Sequence, residues 1–272
     1  MRARTLTILL IFASILSGAS VLAASVPVRF KEGSIHGFLV LSTLDGKAIA
    51  EGDLVQLPQG DHVTAHLIYR FKDGSRQEET TVFSQRGTFR LISYHLVQKG
   101  PVFKHPTELT IHAASGEVTV QSMDDDGKEK TFDEHMKLPP DLANGLVVML
   151  LKNLSPDAAP IEASMVVATP KPRLVKLAIS SQGKEPFTLA GAGRDALHYS
   201  IKLDIGGIAG VVAPLVGKQP PDSHVWILGG ESPTFVRSEI PSYMGGPIWR
   251  TELVAPVWPE AAESKNRSEE KH

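Results

Sequence analysis

The sequence predicts a mainly β protein, a large curved antiparallel sheet or half-barrel wrapping one central apolar helix. Three observations carry that reading. Two long stretches alternate apolar and polar residues with period two, Gly-containing dipeptides of the hairpin type separate shorter alternating pieces, and one segment repeats its apolar residues at three and four.

The N-terminus comes first. Arg2 and Arg4 precede an apolar run from Leu6 to Leu22, which ends in Val21-Leu22-Ala23 and small residues. Charged, apolar and small residues in that order describe a secretory signal peptide. A retained transmembrane anchor is the weaker reading, because the run falls short of the ~20 residues that span a bilayer comfortably. Cleavage is expected near Ala23 or Ala24, so residues 1–24 are assigned to a signal peptide and no stable membrane span is expected afterwards. Residues 25–259 are assigned to a single antiparallel β domain. Residues 260–272 are charged, lack large apolar side chains and are expected to be a disordered tail.

Composition narrows the chemistry. With 0 Cys in the chain, thiol catalysis, disulfides, thiolate metal sites and a lipid-modified N-terminal cysteine are excluded. A formal charge of -2 at 42% hydrophobic residues is an ordinary globular balance and gives no sign of a nucleic-acid partner. The 23 Gly and 19 Pro favour many short strands over a helical bundle.

From His62 to Lys72, Val63, Ala65, Leu67, Tyr69 and Phe71 alternate with polar residues, which makes one face buried and the other wet. The pattern returns at Leu197, Tyr199, Ile201, Leu203 and Ile205. Shorter pieces lie at Leu109-Ile111-Ala113, Val118-Val120, Val175-Leu177-Ile179 and Trp249-Thr251-Leu253. Asp45-Gly46, Asp73-Gly74, Ser115-Gly116 and Asp126-Gly127 tolerate the positive φ of hairpin turns, so residues 26–137 read as a meander. Polar outer faces also favour antiparallel pairing, since parallel strands read as continuous apolar runs.

Pro139-Pro140-Asp141 then precedes Leu142, Leu146, Val147, Met149, Leu150, Leu151 and Leu154. This spacing predicts a helix over 141–154, capped by Asp141 or begun by Pro140, and apolar enough to need cover from the sheet. Strands resume after Ser155-Pro156. Thr169-Pro170-Lys171-Pro172 has the composition of a linker, but similar strand patterns on both sides favour one domain.

The segment from Ile205 to Lys218 mixes Gly206, Gly207, Gly210 and Gly217 with Ile208, Val211, Val212, Leu215 and Val216. It is no phosphate loop: a Walker loop needs four residues before its Gly-Lys pair and Ser or Thr after it, whereas Gln219 follows Lys218. Two readings stand, a buried closure at one end of the sheet and an apolar lip that touches a lipid-like ligand or membrane.

The histidines are scattered. His62 and His66 lie on one strand about 13 Å apart at ~3.3 Å per residue, so no metal site is expected and no cofactor is implied. Asp124-Asp125-Asp126-Gly127 lacks the alternation and terminal Glu of a calcium loop and reads as a solvated turn. Ser34 and His36 share a strand face without a neighbouring carboxylate in sequence or a nucleophile elbow.

The runs "KTFDEHMKLPPDLANGLVVMLLKNL" and "HYSIKLDIGGIAGVVAPLVGKQPPDSHVWILGGESPTF" resemble segments of uncharacterised exported bacterial proteins in domain-of-unknown-function families. The resemblance covers about a quarter of the chain after its leader and implies a bacterial envelope protein, in the periplasm or cell envelope, with no assigned reaction. At the level of fold the build is similar to lipoprotein-carrier half-barrels, in which a curved sheet wraps a helix and holds acyl chains.

The leading expectation is therefore a non-enzymatic envelope protein that binds a lipid or other apolar small molecule between sheet and helix. Leu142, Leu146, Met149, Leu150, Ile208, Val211 and Leu215 are its candidate ligand-binding residues. The first alternative is an envelope hydrolase or isomerase using strand-borne His and Asp, with His62, His66 and His198 as candidates. The second is a structural or interaction module whose helix fills the core, which predicts no pocket larger than a few hundred Å³ between helix and sheet. An outer-membrane barrel is disfavoured by an aromatic content of 6%, too little for two interfacial girdles. Catalytic residues and oligomeric state are left open.

Overall fold

A computed structural model describes residues 26–124, 126–169, 171–189, 191–204, 220–242 and 246–254. Its first half is a run of antiparallel hairpins: β1 (Ile35–Thr43), β2 (Ala48–Gln59), β3 (His62–Phe71), β4 (Arg76–Ser84), β5 (Arg90–Lys99), β6 (Thr107–His112), β7 (Glu117–Met123) and β8 (Glu129–His135). The hairpin dipeptides sit in the turns, where Gly46, Gly74, Gly116 and Gly127 all take positive φ. At the last of these, Asp124 Oδ1 accepts the backbone N–H of Asp126 and of Lys128. Those bonds, the Lys128 one foremost, and Lys130 hold its carboxyl below the usual range.

The second half opens with a short helix, α1 (Val147–Asn153), and continues through β9 (Ile161–Thr169), β10 (Lys171–Leu189), β11 (Ala192–Asp204), β12 (Ser223–Leu228), β13 (Thr234–Pro241) and β14 (Ile248–Val254). The two meanders join through their outermost strands, since β1 pairs with β14 with Leu39 opposite Leu253 and Leu41 opposite Thr251. All fourteen strands therefore belong to one antiparallel sheet. Its free edges are β8 and β9, neighbours in sequence joined by the segment that carries α1. The stretch with linker composition is a hairpin, in which Thr169 pairs with Lys171.

The sheet is rolled. β10, next to one edge, touches β7 and β8 at the other, and Lys171 Nζ lies 5.7 Å from the Phe132 ring across the seam. The alternation decides which face turns inward. On β3, Val63, Ala65, Tyr69 and Phe71 are buried, and on β11 Leu197, Tyr199 and Ile201 are buried. Val63, Ala65, Leu197, Tyr199 and Ile201 join Phe83, Ile111, Val120, Val166, Ile179 and Ile227 in one core, while Tyr69 and Phe71 pack with Leu39, Leu41, Phe103 and Trp249 in a second.

Fourteen strands at ~4.8 Å spacing make a perimeter of about 67 Å, or roughly 21 Å across. Side chains from facing sheets fill only ~10 Å. The remaining width, roughly that of one helix, must be filled by other parts of the chain. Three parts do this: the residues before β1, the loop between β5 and β6, and the segment 141–154. From the second, Phe103 packs edge-on to Phe71 at 5.4 Å between ring centroids and sits beside Trp249. From the third, Leu142, Ala143, Leu146, Met149, Leu150 and Leu151 all belong to the core.

The helix is shorter than the sequence predicts, seven residues instead of a continuous 141–154. The reason lies in the free edge of β9. Ser164 N donates to Asp141 O and Ala143 N donates to Ser164 O, so residues 141–143 run beside β9 as an extended piece. The Asn144 amide adds one more rung by accepting from Val166 N and donating to Val166 O. Gly145 then turns the chain inward at φ 68°. Asp141 accordingly does not cap the helix; its carboxylate accepts from Ser164 Oγ at 3.0 Å and Lys176 Nζ at 3.4 Å. Leu146 stands at the N-cap position without a side-chain bond.

The end of the roll where β2 and β4 finish is closed by a polar plug. Asn153 Oδ1 accepts the backbone N–H groups of Arg29 and Phe30 at 2.7 and 2.8 Å. Glu32, with a side chain 2% exposed, accepts from Lys152 Nζ at 2.7 and 2.8 Å and from Gln56 Nε2 at 3.1 Å. Gln85 bonds the Glu32 backbone in both directions.

Two substitutions test this packing. Lys152→Ala strands the Glu32 carboxylate in the interior, and we expect a loss of about 3–5 kcal/mol in urea unfolding, with Glu32→Gln in the same chain recovering part of it. An unchanged midpoint would show that the plug is solvated. Gly145→Ala is expected to cost at least ~2 kcal/mol, because its Cβ would fall 2.0 Å from Thr81 Oγ1 at positive φ; wild-type stability would mean that this turn does not press on β4.

Candidate functional site

The described residues leave the end opposite the plug open. There β5, β9, β11 and β13 finish and β6, β8 and β12 begin, and between them lies a cavity of about 730 Å³. Its deep wall is apolar, with Leu109, Val166, Leu177 and Ile201 contributed by four strands whose inward phase was set by the alternation. Nearer the mouth the character changes. Lys104, His105, Asp124 and Lys130 line the rim, with Lys130 Nζ 2.9 Å from Asp124 Oδ2. Met123 and Ile240 also line it, each 42% exposed, so the lip is partly apolar.

Polar groups reach the deeper part in a few places. Asn144 lines the floor with its amide already committed to Val166. Nearer the mouth, Gln98 lines the wall and donates to Gln77 Oε1 at 3.0 Å. Tyr94 lines it as well, and its hydroxyl donates to Glu79 Oε2 at 3.0 Å. Burial pushes the Glu79 carboxyl above its ordinary value, outweighing the Tyr94 bond that favours the anion. Burial first, and the adjacent Glu79 second, push the Tyr94 hydroxyl well above its own range.

The ligand-binding residues expected from sequence fall in two groups. Leu142, Leu146, Met149 and Leu150 are buried in the core and none of them lines the cavity. From the same segment, Asn144 does. Ile208, Val211 and Leu215 lie outside the described residues, although Leu203 and Pro220, on either side of 205–219, both line the cavity. The sequence marked the wall residues Leu109, Leu177, Ile201 and Leu203 only as strand interior. Nothing in a single sequence tells an inward side chain that meets a packed neighbour from one that meets a space.

The candidate catalytic histidines do not meet. His62 and His66 sit on β3 and His198 on β11, six strand positions along the sheet, or about 29 Å at ~4.8 Å per strand. His198 belongs instead to a cluster on the outer wall. Its Nδ1 donates to Glu185 Oε1 at 2.7 Å, its Nε2 lies 2.8 Å from His224 Nδ1, and its ring stacks on Trp226 at 4.6 Å. Trp226 Nε1 donates to Glu185 Oε2, and this bond more than the histidines holds the Glu185 carboxyl below its usual range. Arg237 covers the rings of Phe187 and Trp226 and pairs with Glu252. None of these residues lines the cavity.

His36 does have a carboxylate neighbour, Asp53 at 2.8 Å across β1 and β2, which cross-strand register supplies and sequence distance hides. That pair is solvent-exposed on the outer wall. Among the described residues, no group of three or more His, Asp or Glu is placed to hold a metal ion, and no helix is long and apolar enough to cross a membrane.

The Glu79 environment has a measurable sign. Its folded form keeps a proton to higher pH than the unfolded chain, so the folded state loses stability as pH rises above the ordinary glutamate value of 4.5. We expect Glu79→Gln to flatten the stability-pH curve where pH rises above 4.5. A curve that keeps its slope in the variant would place the cause elsewhere.

No family model matches the chain, and no curated protein matches it. Among solved structures it is similar to a β-barrel-like protein of Domain of Unknown Function DUF1849 from Brucella abortus, with a TM-score of 0.48 and 9% identity over 83% of this chain and 97% of that one.

Proposed function

We propose that this is an exported envelope protein that holds a lipid or other apolar ligand inside the rolled sheet, without catalysing a reaction. The observation that carries the reading is the cavity of about 730 Å³ at the open end. That volume falls in the range of small-molecule sites, roughly 300–1,000 Å³. Its apolar depth and polar rim match a ligand with an apolar body and a polar end. Among the described residues, the plug closes the far end. The segment around α1 supplies packing behind the pocket, with Leu142, Leu146, Met149 and Leu150 as support and Asn144 as the contact at the floor. The order of charged, apolar and small residues from Arg2 to Ala23 supports export.

The other two readings have less behind them. A structural module whose helix fills the core agrees with Leu142, Leu146, Met149 and Leu150 lying outside the cavity, but it gives the space at the other end no role. A hydrolase or isomerase needs its groups around a substrate site, whereas the histidines considered for it are distributed over the outer wall.

The test is fluorescence of N-phenylnaphthylamine, a neutral apolar probe, titrated with the purified chain lacking residues 1–24. We expect a saturable increase with one probe per protein at micromolar concentration. An emission unchanged from buffer would overturn the reading.

A further inference from the structure

The size and polarity gradient of the cavity narrow the class of ligand. This inference rests on the pocket reading above and adds what the pocket admits. A methylene occupies about as much space as a water molecule in the liquid, on the order of 30 Å³. Two palmitoyl chains therefore need about 1,000 Å³, at the upper limit of small-molecule sites. One stearoyl chain needs about 540 Å³ and fits.

The walls offer little room for expansion. On the deep side, Leu109, Leu177 and Ile201 stand on strands paired on both sides, and Val166 stands on the edge strand β9, backed by residues 141–144. Behind the floor, the Asn144 amide is clamped to both backbone groups of Val166, and Gly145 presses on Thr81. Close-packed surroundings of this kind do not swell to take a second chain without breaking contacts.

Orientation follows from the distribution of charge. Below the rim, the described lining residues carry no charge. Lys104, His105, Asp124 and Lys130 mark the end where water and ions are accessible. A polar head placed deep would lose its hydration with few partners to replace it.

We propose that the cavity takes one single-chain amphiphile, such as a lysophospholipid or a fatty acid, with the chain toward Leu177 and Ile201 and the head at the rim, and that it excludes diacyl lipids. Each added methylene strengthens binding about fourfold while it finds wall to touch. Gain stops where the chain has filled the depth, near stearoyl length.

The experiment displaces bound N-phenylnaphthylamine with lysophosphatidylcholines of increasing chain length, and records native mass spectra after incubation with vesicles of dipalmitoyl phosphatidylcholine and lysophosphatidylcholine. The expected result is tighter displacement with length up to a plateau, and a single lysolipid adduct. Ile201→Trp and, separately, Leu203→Trp are expected to move the plateau to shorter chains; the wild-type series stands by itself if either variant fails to fold. A diacyl adduct, displacement without a length limit, or bound probe that no lysolipid displaces would overturn the proposal while leaving a pocket in place. Absence of probe binding would instead remove the reading beneath it.

Discussion

The width of the rolled sheet is the constraint on which the rest of the structure depends. A sheet of fourteen strands closed toward itself is wider than its own inward side chains can fill. Water inside would leave the inner apolar faces exposed, so the interior must receive chain from elsewhere. The residues before β1, the Phe103 loop and the segment 141–154 enter for that reason. Among the described residues, a hydrogen-bonded plug occupies one end and a cavity the other.

How polar groups are carried inside follows from the same constraint. The connection from β8 back to β9 passes through the interior, and its backbone needs partners there. The free edge of β9 provides them through Ser164 and Val166, which is why the chain stays extended to Asn144 and becomes helical only after Gly145. At the closed end the Glu32 and Lys152 charges are buried together, so each has a partner. At the open end the charges stay on the rim. A polar plug, an apolar depth and a charged rim, in that order along the axis, give the pocket one direction.

Much of the wall was legible from the chain itself. Alternation at Val63 to Phe71 and at Leu197 to Leu203 fixed which side chains face inward, and the Asp-Gly and Ser-Gly dipeptides located the hairpins. The helix was legible in place and too long in extent, because the apolar spacing from Leu142 to Leu154 is the same whether the first residues are helical or pressed against a strand edge. The union of β1 with β14 spans most of the chain and leaves no local mark. The cavity was least legible. Leu109 and Ile201 carry the same pattern as Val63 and Phe83, and only the distance to the facing wall separates a lining residue from a packed one. The cluster around His198 was hidden for a similar reason: Glu185, His224 and Trp226 become its neighbours through register alone.

The central claim is that the interior is left incompletely filled by the protein's own side chains. Xenon pressurisation of crystals tests it most directly, since xenon enters dry apolar cavities and scatters strongly. Ordered xenon bounded by Leu109, Val166, Leu177 and Ile201 is expected. Diffraction that shows these four side chains in mutual contact, with no xenon between them, would contradict it.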